Sequence, residues 1–340
     1  MKKYLLTLLL ILLVFITGCG KNSGSKVKDS FIKEVGSLKG YYMEGKLSIT
    51  NNDDTYKYNV KVSYQAPENY KVVLTNNAND YTQILIKNNE GVFVATPALN
   101  KTFKFQSNWP NNNSLSYLLS SVANDLNSDK EYAFEEKDGL YTYIVKANYP
   151  NNRDLVKQRI TIGDNNELKK VEVLNKENIS LIEFEVTTLD KKAIFKNDYF
   201  KLEEKNLKQD CENCDEEKPA EEIESTISET VFPLYLPENT ALSNKEVIKL
   251  DNGERVIMTF SGDNPFILVE ETVSKEDELT VVPTYGEPFM LVDTVGSLTD
   301  MSYTWTSGGI EYYIVSDVLE QNELLEVAKS LNTVSTISTK

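Results

Sequence analysis

The sequence predicts an α+β protein: an antiparallel half-barrel with a helical lid, followed by a smaller C-terminal α+β domain. The strongest observation is the alternation in Tyr56–Gln65, where tyrosine and valine take turns with polar residues. Side chains in a strand alternate faces, so this segment buries one face and wets the other. Gly40–Thr50 repeats the pattern, and turn-forming clusters of Asn, Asp and Gly separate the strands that follow. A long antiparallel sheet with one apolar face must curl around a core.

Residues 1–18 have the composition of a secretory signal peptide. Two lysines precede Tyr4–Ile16, an apolar run too short to span a bilayer, which takes roughly 20 residues. Its last residue begins the sequence Ile16-Thr17-Gly18-Cys19, which resembles the bacterial lipobox. We expect cleavage to leave a diacylated Cys19, residues 19–25 to form a lipidated tether, and the body to lie on the outer face of the cytoplasmic membrane. The alternative is a plain signal peptide that happens to carry a cysteine.

Composition excludes several classes of function. The chain has 340 residues, enough for two domains, and a formal net charge of −16. Such an acidic surface disfavours nucleic acid and anionic lipid headgroups as partners. The absence of histidine removes Ser-His-Asp and Cys-His catalysis and histidine zinc sites. We therefore predict no enzyme activity, no catalytic residues, no metal site and no cofactor.

The first domain is predicted over residues 26–202. It starts with an amphipathic helix at Val27–Leu38, and a second helix at Ser114–Leu126 is inserted midway as the lid. The remaining segments alternate as strands or end in turn residues. The predicted strands lie near 41–50, 56–65, 70–75, 81–87, 91–96, 102–106, 131–136, 140–147, 155–162, 167–174 and 178–189.

An acidic linker is predicted over residues 203–230, because few apolar residues there could form a core. The second domain then spans residues 231–335. Its predicted strands lie near 245–250, 254–261, 266–273, 289–295, 302–306 and 310–316, and its last helix runs from about Glu320 to Leu331.

Cys211 and Cys214 form a Cys-x-x-Cys motif within the predicted linker. A local disulfide is the favoured interpretation for an exported protein. A redox or metal role is the alternative, but no helix N-terminus or lysine accompanies the motif, and a second such motif that would complete a metal site is absent from the sequence.

Three stretches carry a family resemblance: Tyr64–Val72, Asn89–Phe93 and Thr96–Lys101. Their succession of a strand, a Pro-x-x-Tyr-Lys step, a glycine turn and a proline turn resembles the LolA/LolB-like lipoprotein-carrier superfamily. Val94-Ala95 departs from it where an aromatic residue is common. The segment from Trp305 to Leu331 resembles an uncharacterised module found after such domains in lipoproteins of spore-forming Firmicutes. The arrangement is similar to lipoproteins of sporulation and germination.

The resemblance implies an incomplete barrel that holds acyl chains in an apolar cavity. The physical alternative is that the same side chains fill the barrel as a core. The candidates are apolar residues of the strands and of the lid helix: Val60, Val62, Val72, Leu74, Ile84, Ile86, Val92, Val94, Phe103, Phe105, Leu118, Leu119 and Val122.

Two functions of different classes follow. The first is a membrane-anchored protein that binds a lipid, an acyl chain or a lipoprotein in the half-barrel. The second, borrowed from germination lipoproteins of the same superfamily, is a non-enzymatic scaffold that binds a cell-wall hydrolase or another envelope protein.

Overall fold

The structure is a computed structural model and describes residues 20–51, 54–111, 113–150, 152–211, 226–291 and 294–331. Most of the first domain is one antiparallel sheet with helices on both of its faces. Its helices are α1 (Gly20–Ser37), α2 (Leu119–Ser128) and the short α3 (Glu204–Gln209). Its strands are β1 (Gly40–Asn51), β2 (Asp54–Gln65), β3 (Asn69–Asn76), β4 (Thr82–Asn88), β5 (Gly91–Thr96), β6 (Lys101–Phe105), β7 (Ala133–Lys137), β8 (Leu140–Lys146), β9 (Lys157–Gly163), β10 (Glu167–Leu174) and β11 (Ser180–Asp190).

The second domain is a smaller sheet covered on one face by a helix. The helix is α4 (Gln321–Lys329), and its buried leucines, valine and alanine pack against the sheet. The strands that follow the first domain are β12 (Thr240–Leu250), β13 (Gly253–Gly262), β14 (Phe266–Thr272), β15 (Thr280–Thr284), β16 (Glu287–Met290), β17 (Val295–Leu298), β18 (Ser302–Ser307) and β19 (Ile310–Val315).

The two domains share a sheet. The first sheet has the order β15-β6-β5-β4-β3-β2-β1-β11-β10-β9-β8-β7, so β15 leaves the second domain and pairs in parallel with β6. This strand covers what would otherwise be a free edge. The second sheet keeps the order β12-β13-β14-β19-β18-β17-β16. The fold class predicted from the sequence is confirmed, and β15 connects the second domain to the edge of the first sheet.

The concave face of the first sheet is closed by α1 and α2. Phe31 of α1 and Leu118, Leu119 and Val122 of the lid pack against valines and tyrosines of the strands. The register between β1 and β11 shifts at Gly45. A Cβ at Gly45 would lie 2.5 Å from the Phe184 ring, so glycine lets this ring rest against the backbone.

The convex face of the sheet is also covered, whereas the alternation in the sequence predicts that this face is exposed to solvent. Residues after β11 fold back over β3–β5, where Leu207 of α3 packs on Val73 and Phe93. Lys71 is 2% exposed; its Nζ lies 2.6 Å from an Asp210 carboxylate oxygen and 3.7 Å from the centre of the Tyr199 ring. The predicted linker therefore begins later than residue 203, because residues 203–211 belong to this cover.

Three further boundaries differ from the prediction. Gly20–Ser25, predicted as part of a tether, lie in α1, where the carbonyl of Gly24 accepts a hydrogen bond from Tyr143 Oη at 2.7 Å. Ser114 precedes the lid helix, which begins at Leu119. The strand predicted at 289–295 covers parts of β16 and β17. Within the described residues, no helix is long and apolar enough to cross a membrane.

Candidate functional site

A cavity of about 410 Å³ lies at the open end of the half-barrel, between the first sheet and the second domain. Its volume falls within the roughly 300–1,000 Å³ of small-molecule sites. Most of its wall is apolar. From the first domain it is lined by Leu47, Ile49, Leu85, Trp109, Leu115, Tyr117, Tyr149, Pro150, Leu155, Leu181 and Ile182, and from the second by Pro288, Phe289, Met290, Leu291 and Val295.

The side chain of Gln83 links the first domain to the second at this end of the barrel by hydrogen bonds. Its Nε2 donates to the carbonyl of Val295 at 3.0 Å, and its Oε1 accepts from the Val295 amide at 2.6 Å and from the Thr294 hydroxyl at 3.1 Å. The side chain thus pairs with the backbone as a neighbouring strand would. Because Gln83 is buried, its amide would be costly to leave unpaired, and this holds the apolar residues of β16 and β17 beside the cavity.

Polar links at the periphery reinforce the junction. Lys101 Nζ lies 2.8 Å from Glu311, and Arg153 lies 2.6 Å from Glu320. The amide of Thr280 donates to the carbonyl of Asn100 at 2.8 Å, where β15 joins β6. Surface ion pairs contribute little, so the buried glutamine and the shared sheet carry most of the coupling.

Charged side chains line the rim of the cavity. Asp154 and Glu326 are exposed and line it together with Lys329. Lys329 Nζ lies 2.7 Å from the carboxylate of Glu326, so its charge is already paired. Asp154 is paired as well, because Lys176 Nζ lies 3.5 Å from its carboxylate, so both carboxylates of the rim have a cationic partner.

A polar cluster adjoins the apolar wall near the lid. Ser114 Oγ accepts a hydrogen bond from the Asn148 amide at 2.8 Å, and Gln158 Nε2 donates to Tyr149 Oη at 3.2 Å. Burial raises the pKa of Asp125 to about 6, opposed by the hydrogen bond with Ser114. Asp125 Oδ2 and Gln158 Oε1 are buried with no hydrogen-bond partner among the described residues. Ser114, Tyr117 and Tyr149 belong both to this cluster and to the cavity wall.

A second cavity of about 310 Å³ lies nearby, between β4–β6 and the second domain. Threonine and serine hydroxyls of β17 and β18 line much of it, and Lys101 neutralises Glu311 at its wall. It is smaller than the cavity at the mouth.

The predicted cavity-lining residues separate into three groups. One group lies in the packed interior of the half-barrel and lines neither cavity: Val60, Val62, Val72, Leu74, Val92, Leu118, Leu119 and Val122. A second group lines the smaller cavity: Val94, Phe103 and Phe105. The third group consists of Ile84 and Ile86.

The assignment of Ile84 and Ile86 to the inner wall is wrong. Ile84 pairs with Val73, and Leu85 pairs with Val72, so Leu85 is the residue that faces the interior. Both isoleucines lie under the cover formed by residues after β11. Strand β4 is apolar on both faces, and its sequence therefore does not show which face turns inward.

The cysteines are only partly described. Cys211 is disulfide-bonded, whereas its predicted partner Cys214 and the predicted lipidation site Cys19 lie outside the described residues. Where the structure describes the chain, no group of three or more acidic or cysteine side chains could hold a metal ion.

Most of the residues that line the cavity were not predicted from the sequence. Trp109, Leu115 and Leu155 lie in loops, where no periodicity marks a buried side. Phe289, Met290 and Leu291 come from the second domain, whose contact with the barrel left no signal in the sequence. The apolar character of these loop residues was the one available clue.

Comparison with known proteins gives both a family and distant structural matches. The family model described as "Sporulation protein YdcC-like" matches residues 1–200. Sporulation protein YdcC of Bacillus subtilis (strain 168) is 32% identical over 336 residues, which cover 96% of this chain and 95% of that protein.

Solved structures match more weakly. A putative outer membrane lipoprotein-sorting protein domain from Vibrio parahaemolyticus is 13% identical with a TM-score of 0.32, covering 55% of this chain and 98% of that chain. A chain from the complex of the CwlD amidase of Clostridioides difficile with the GerS lipoprotein is 15% identical with a TM-score of 0.22, covering 51% of this chain and 95% of that chain.

Proposed function

The chain belongs to the family of YdcC-like sporulation proteins, and on that premise we propose that it is a membrane-anchored binding protein that holds an acyl chain at the mouth of its half-barrel. The observation that carries this proposal is the 410 Å³ cavity with apolar walls from both domains. Each methylene group buried there would contribute about 0.8 kcal/mol. We propose binding without a bond-making step, consistent with a chain that lacks histidine.

The proposed anchor is a diacylated Cys19 on the outer face of the cytoplasmic membrane. Because α1 begins at Gly20, this anchor would hold the body close to the lipid surface. A protein so placed would take up or pass lipid locally, since it cannot diffuse to a distant membrane. The Cys19→Ser change should move the protein from the membrane fraction to the soluble fraction, and continued sedimentation with membranes would contradict the anchor.

Native mass spectrometry of protein purified from membranes tests the cavity. We expect a bound lipid in the unchanged protein and its loss in Met290→Trp, because the larger ring fills the space beside Phe289 and Leu291. Met301→Trp is the matched control, since Met301 is an exposed methionine of the same domain outside the cavity. Equal lipid occupancy in both variants would reject this cavity as the binding site.

A second candidate function rests on an exposed apolar ridge, Phe232–Leu236. Leu234 is 74% exposed, and the neighbouring Phe232, Tyr235 and Leu236 are exposed as well. Such contiguous apolar surface marks interaction sites. Acidic side chains near Tyr235, including Glu238, Glu323 and Glu326, would suit a basic partner. We propose a cell-wall hydrolase as that partner.

Co-purification separates the scaffold from the lipid binder. Leu234→Asp should release a bound cell-wall hydrolase because a carboxylate would have to be desolvated in the contact. Ile194→Asp is the control, since Ile194 is 95% exposed on the first domain. Retention of the hydrolase by Leu234→Asp, or equal loss in both variants, would contradict a role for the ridge.

A further inference from the structure

We propose that the smaller cavity, between β4–β6 and the second domain, binds an uncharged saccharide with one sugar ring inside it. The cavity has a volume of about 310 Å³, at the lower end of the range of small-molecule sites. Among the described residues, Val295 alone lines both this cavity and the proposed acyl site, so the proposal does not depend on acyl binding. It rests on hydroxyls without partners, on the charge of the wall and on two exposed aromatic rings.

The wall from the second domain is the face of its sheet that points away from α4. Side chains of β18 and β19 alternate between the two faces, and one set packs in the core beneath α4. The other set lines the cavity, where Thr304 lies opposite Tyr313 and Thr306 lies opposite Glu311. Thr96 of β5 lines the same cavity from the first sheet. Three threonine side chains and a carboxylate therefore line one space.

The hydroxyls of Thr96, Thr304 and Thr306 have no hydrogen-bond partner among the described residues. Thr96 and Thr306 are only 3% and 6% exposed. By contrast, the hydroxyl of Ser297 in the same wall donates to the carbonyl of Tyr285. A buried hydroxyl without a partner is costly, so a ligand that brings both donors and acceptors stabilises this wall. An acyl chain brings neither.

The charge of the wall disfavours an ionised ligand. Glu311 is the charged side chain among the described residues that line the cavity, and its Oε2 lies 2.8 Å from Lys101 Nζ. An ionised ligand would therefore lose water without gaining an unpaired partner of opposite charge. The other oxygen of Glu311, Oε1, accepts a hydrogen bond from no described group. It can accept one from a ligand hydroxyl.

Tyr285 and Tyr313 give the cavity an aromatic surface on its solvent side. Both residues line the cavity, and they are 84% and 37% exposed. The CH groups on one face of a sugar ring can pack against such a side chain, which removes apolar surface from water. The hydroxyls at the edge of the sugar ring can then bond to the threonines and to Glu311. A sugar ring combines these two kinds of surface in one molecule.

The backbone of the wall is not available to an extended peptide. Strand β5 lies between β4 and β6, and β18 lies between β17 and β19, so both strands are paired on each side. A peptide that binds as an added strand needs an unpaired edge. The ligand therefore meets side chains, which is how a saccharide is recognised.

Calorimetric titration of the full chain with neutral and acidic disaccharides tests the proposal. The neutral probes are cellobiose and N,N′-diacetylchitobiose, and the ionised probe is digalacturonic acid. We expect the tighter of the two neutral probes to bind at least about tenfold more tightly than digalacturonate. Thr304→Val and Thr306→Val should each weaken its binding about fivefold, because valine keeps the shape and removes the hydroxyl. Thr259→Val is the matched control, since Thr259 lies on the same face of the sheet outside the cavity.

The outcomes separate this cavity from the acyl site. Binding of a neutral disaccharide that both threonine changes weaken, and that Thr259→Val leaves unchanged, supports the proposal. Met290→Trp, which fills the acyl cavity, should also leave it unchanged; loss of saccharide binding in this variant would assign the sugar to the larger cavity and overturn the proposal. Equal affinity for digalacturonate would overturn it as well. So would the absence of binding of either neutral disaccharide to protein whose circular dichroism is that of the folded chain.

Discussion

The closed end and the open end of the half-barrel are made from the same curved sheet, but they are covered differently. At the closed end, Phe31 of α1 and Leu119 of α2 pack against the strands, and the interior is filled. At the open end, the second domain is held by Gln83 and by peripheral links, and a cavity of about 410 Å³ remains. A helix packed directly on a sheet fills the space between them, whereas a domain attached at its edge leaves room for a ligand.

The largest expected effect comes from shortening the same side chain at each end. Leu118 is completely buried in the filled interior, so Leu118→Ala should lower the free energy of unfolding by about 3 kcal/mol. Leu115 lines the cavity, where part of its surface is already unpacked, and Leu115→Ala should cost less than about 1 kcal/mol. Urea denaturation measures both. Equal losses would show that the two ends are packed alike.

Glu270 gives the second domain a pH-dependent stability. It is 1% exposed, its Oε1 accepts from the Val231 amide at 2.9 Å, and its Oε2 has no partner among the described residues. Burial raises the pKa of Glu270 to about 7, opposed by the Val231 amide and by Lys245. The folded state therefore binds the proton more tightly than the unfolded state, and stability is full below about pH 4.5 and falls as the pH rises through 7.

Denaturation at pH 5 and pH 8 checks this dependence. Glu270→Gln should stabilise the protein at pH 8 by on the order of 2 kcal/mol, because the amide needs no proton to remain neutral. Glu246→Gln, at an exposed position of β12, should change little. A Glu270→Gln variant that keeps the full pH dependence of the unchanged chain would show that another group is responsible.

Gln83→Leu tests the junction between the two ends. The change removes three hydrogen bonds and leaves the amide and carbonyl of Val295 unpaired, so it should cost about 2 kcal/mol. Hydrogen exchange should accelerate at Val295 more than at Val62 in the filled interior. Gln65→Leu, at the end of β2, is the control and should remain within about 0.5 kcal/mol. Unchanged exchange at Val295 would mean that the second domain is held by other contacts.

The smallest effect is expected at the periphery. Arg153 and Glu320 are joined at 2.6 Å across the junction, but their side chains are 69% and 70% exposed. Arg153→Ala should therefore lower stability by less than about 0.5 kcal/mol and leave lipid occupancy unchanged. A loss above about 1.5 kcal/mol would show that peripheral charge, and not Gln83, couples the domains.

The sequence predicted what local pattern determines. The strict alternation of Tyr56–Gln65 identified β2 and its inner face, which the structure places in the core. Strand β4 was located correctly, but its isoleucines were assigned to the wrong face, because a strand buried on both sides has no alternation to read. The start of α1 was missed because Gly20–Ser25 carry no apolar stripe.

The site was harder to predict because it is made by contacts between distant parts of the chain. Strand β15 joins a partner in the other domain, and nothing in Thr280–Thr284 indicates that pairing. The cavity takes its walls from strands and loops of the first domain and from β16, β17 and Leu291 of the second. The sequence identified the apolar face of the barrel strands, but it did not show that the helices cover most of that face.

The most direct test of the central claim is a crystal structure of the protein purified from membranes without delipidation. The account predicts elongated electron density between Leu47 and Met290. Density for a lipid among Val62, Val72 and Leu118 in the barrel interior, or a cavity at the mouth that holds only water, would contradict it.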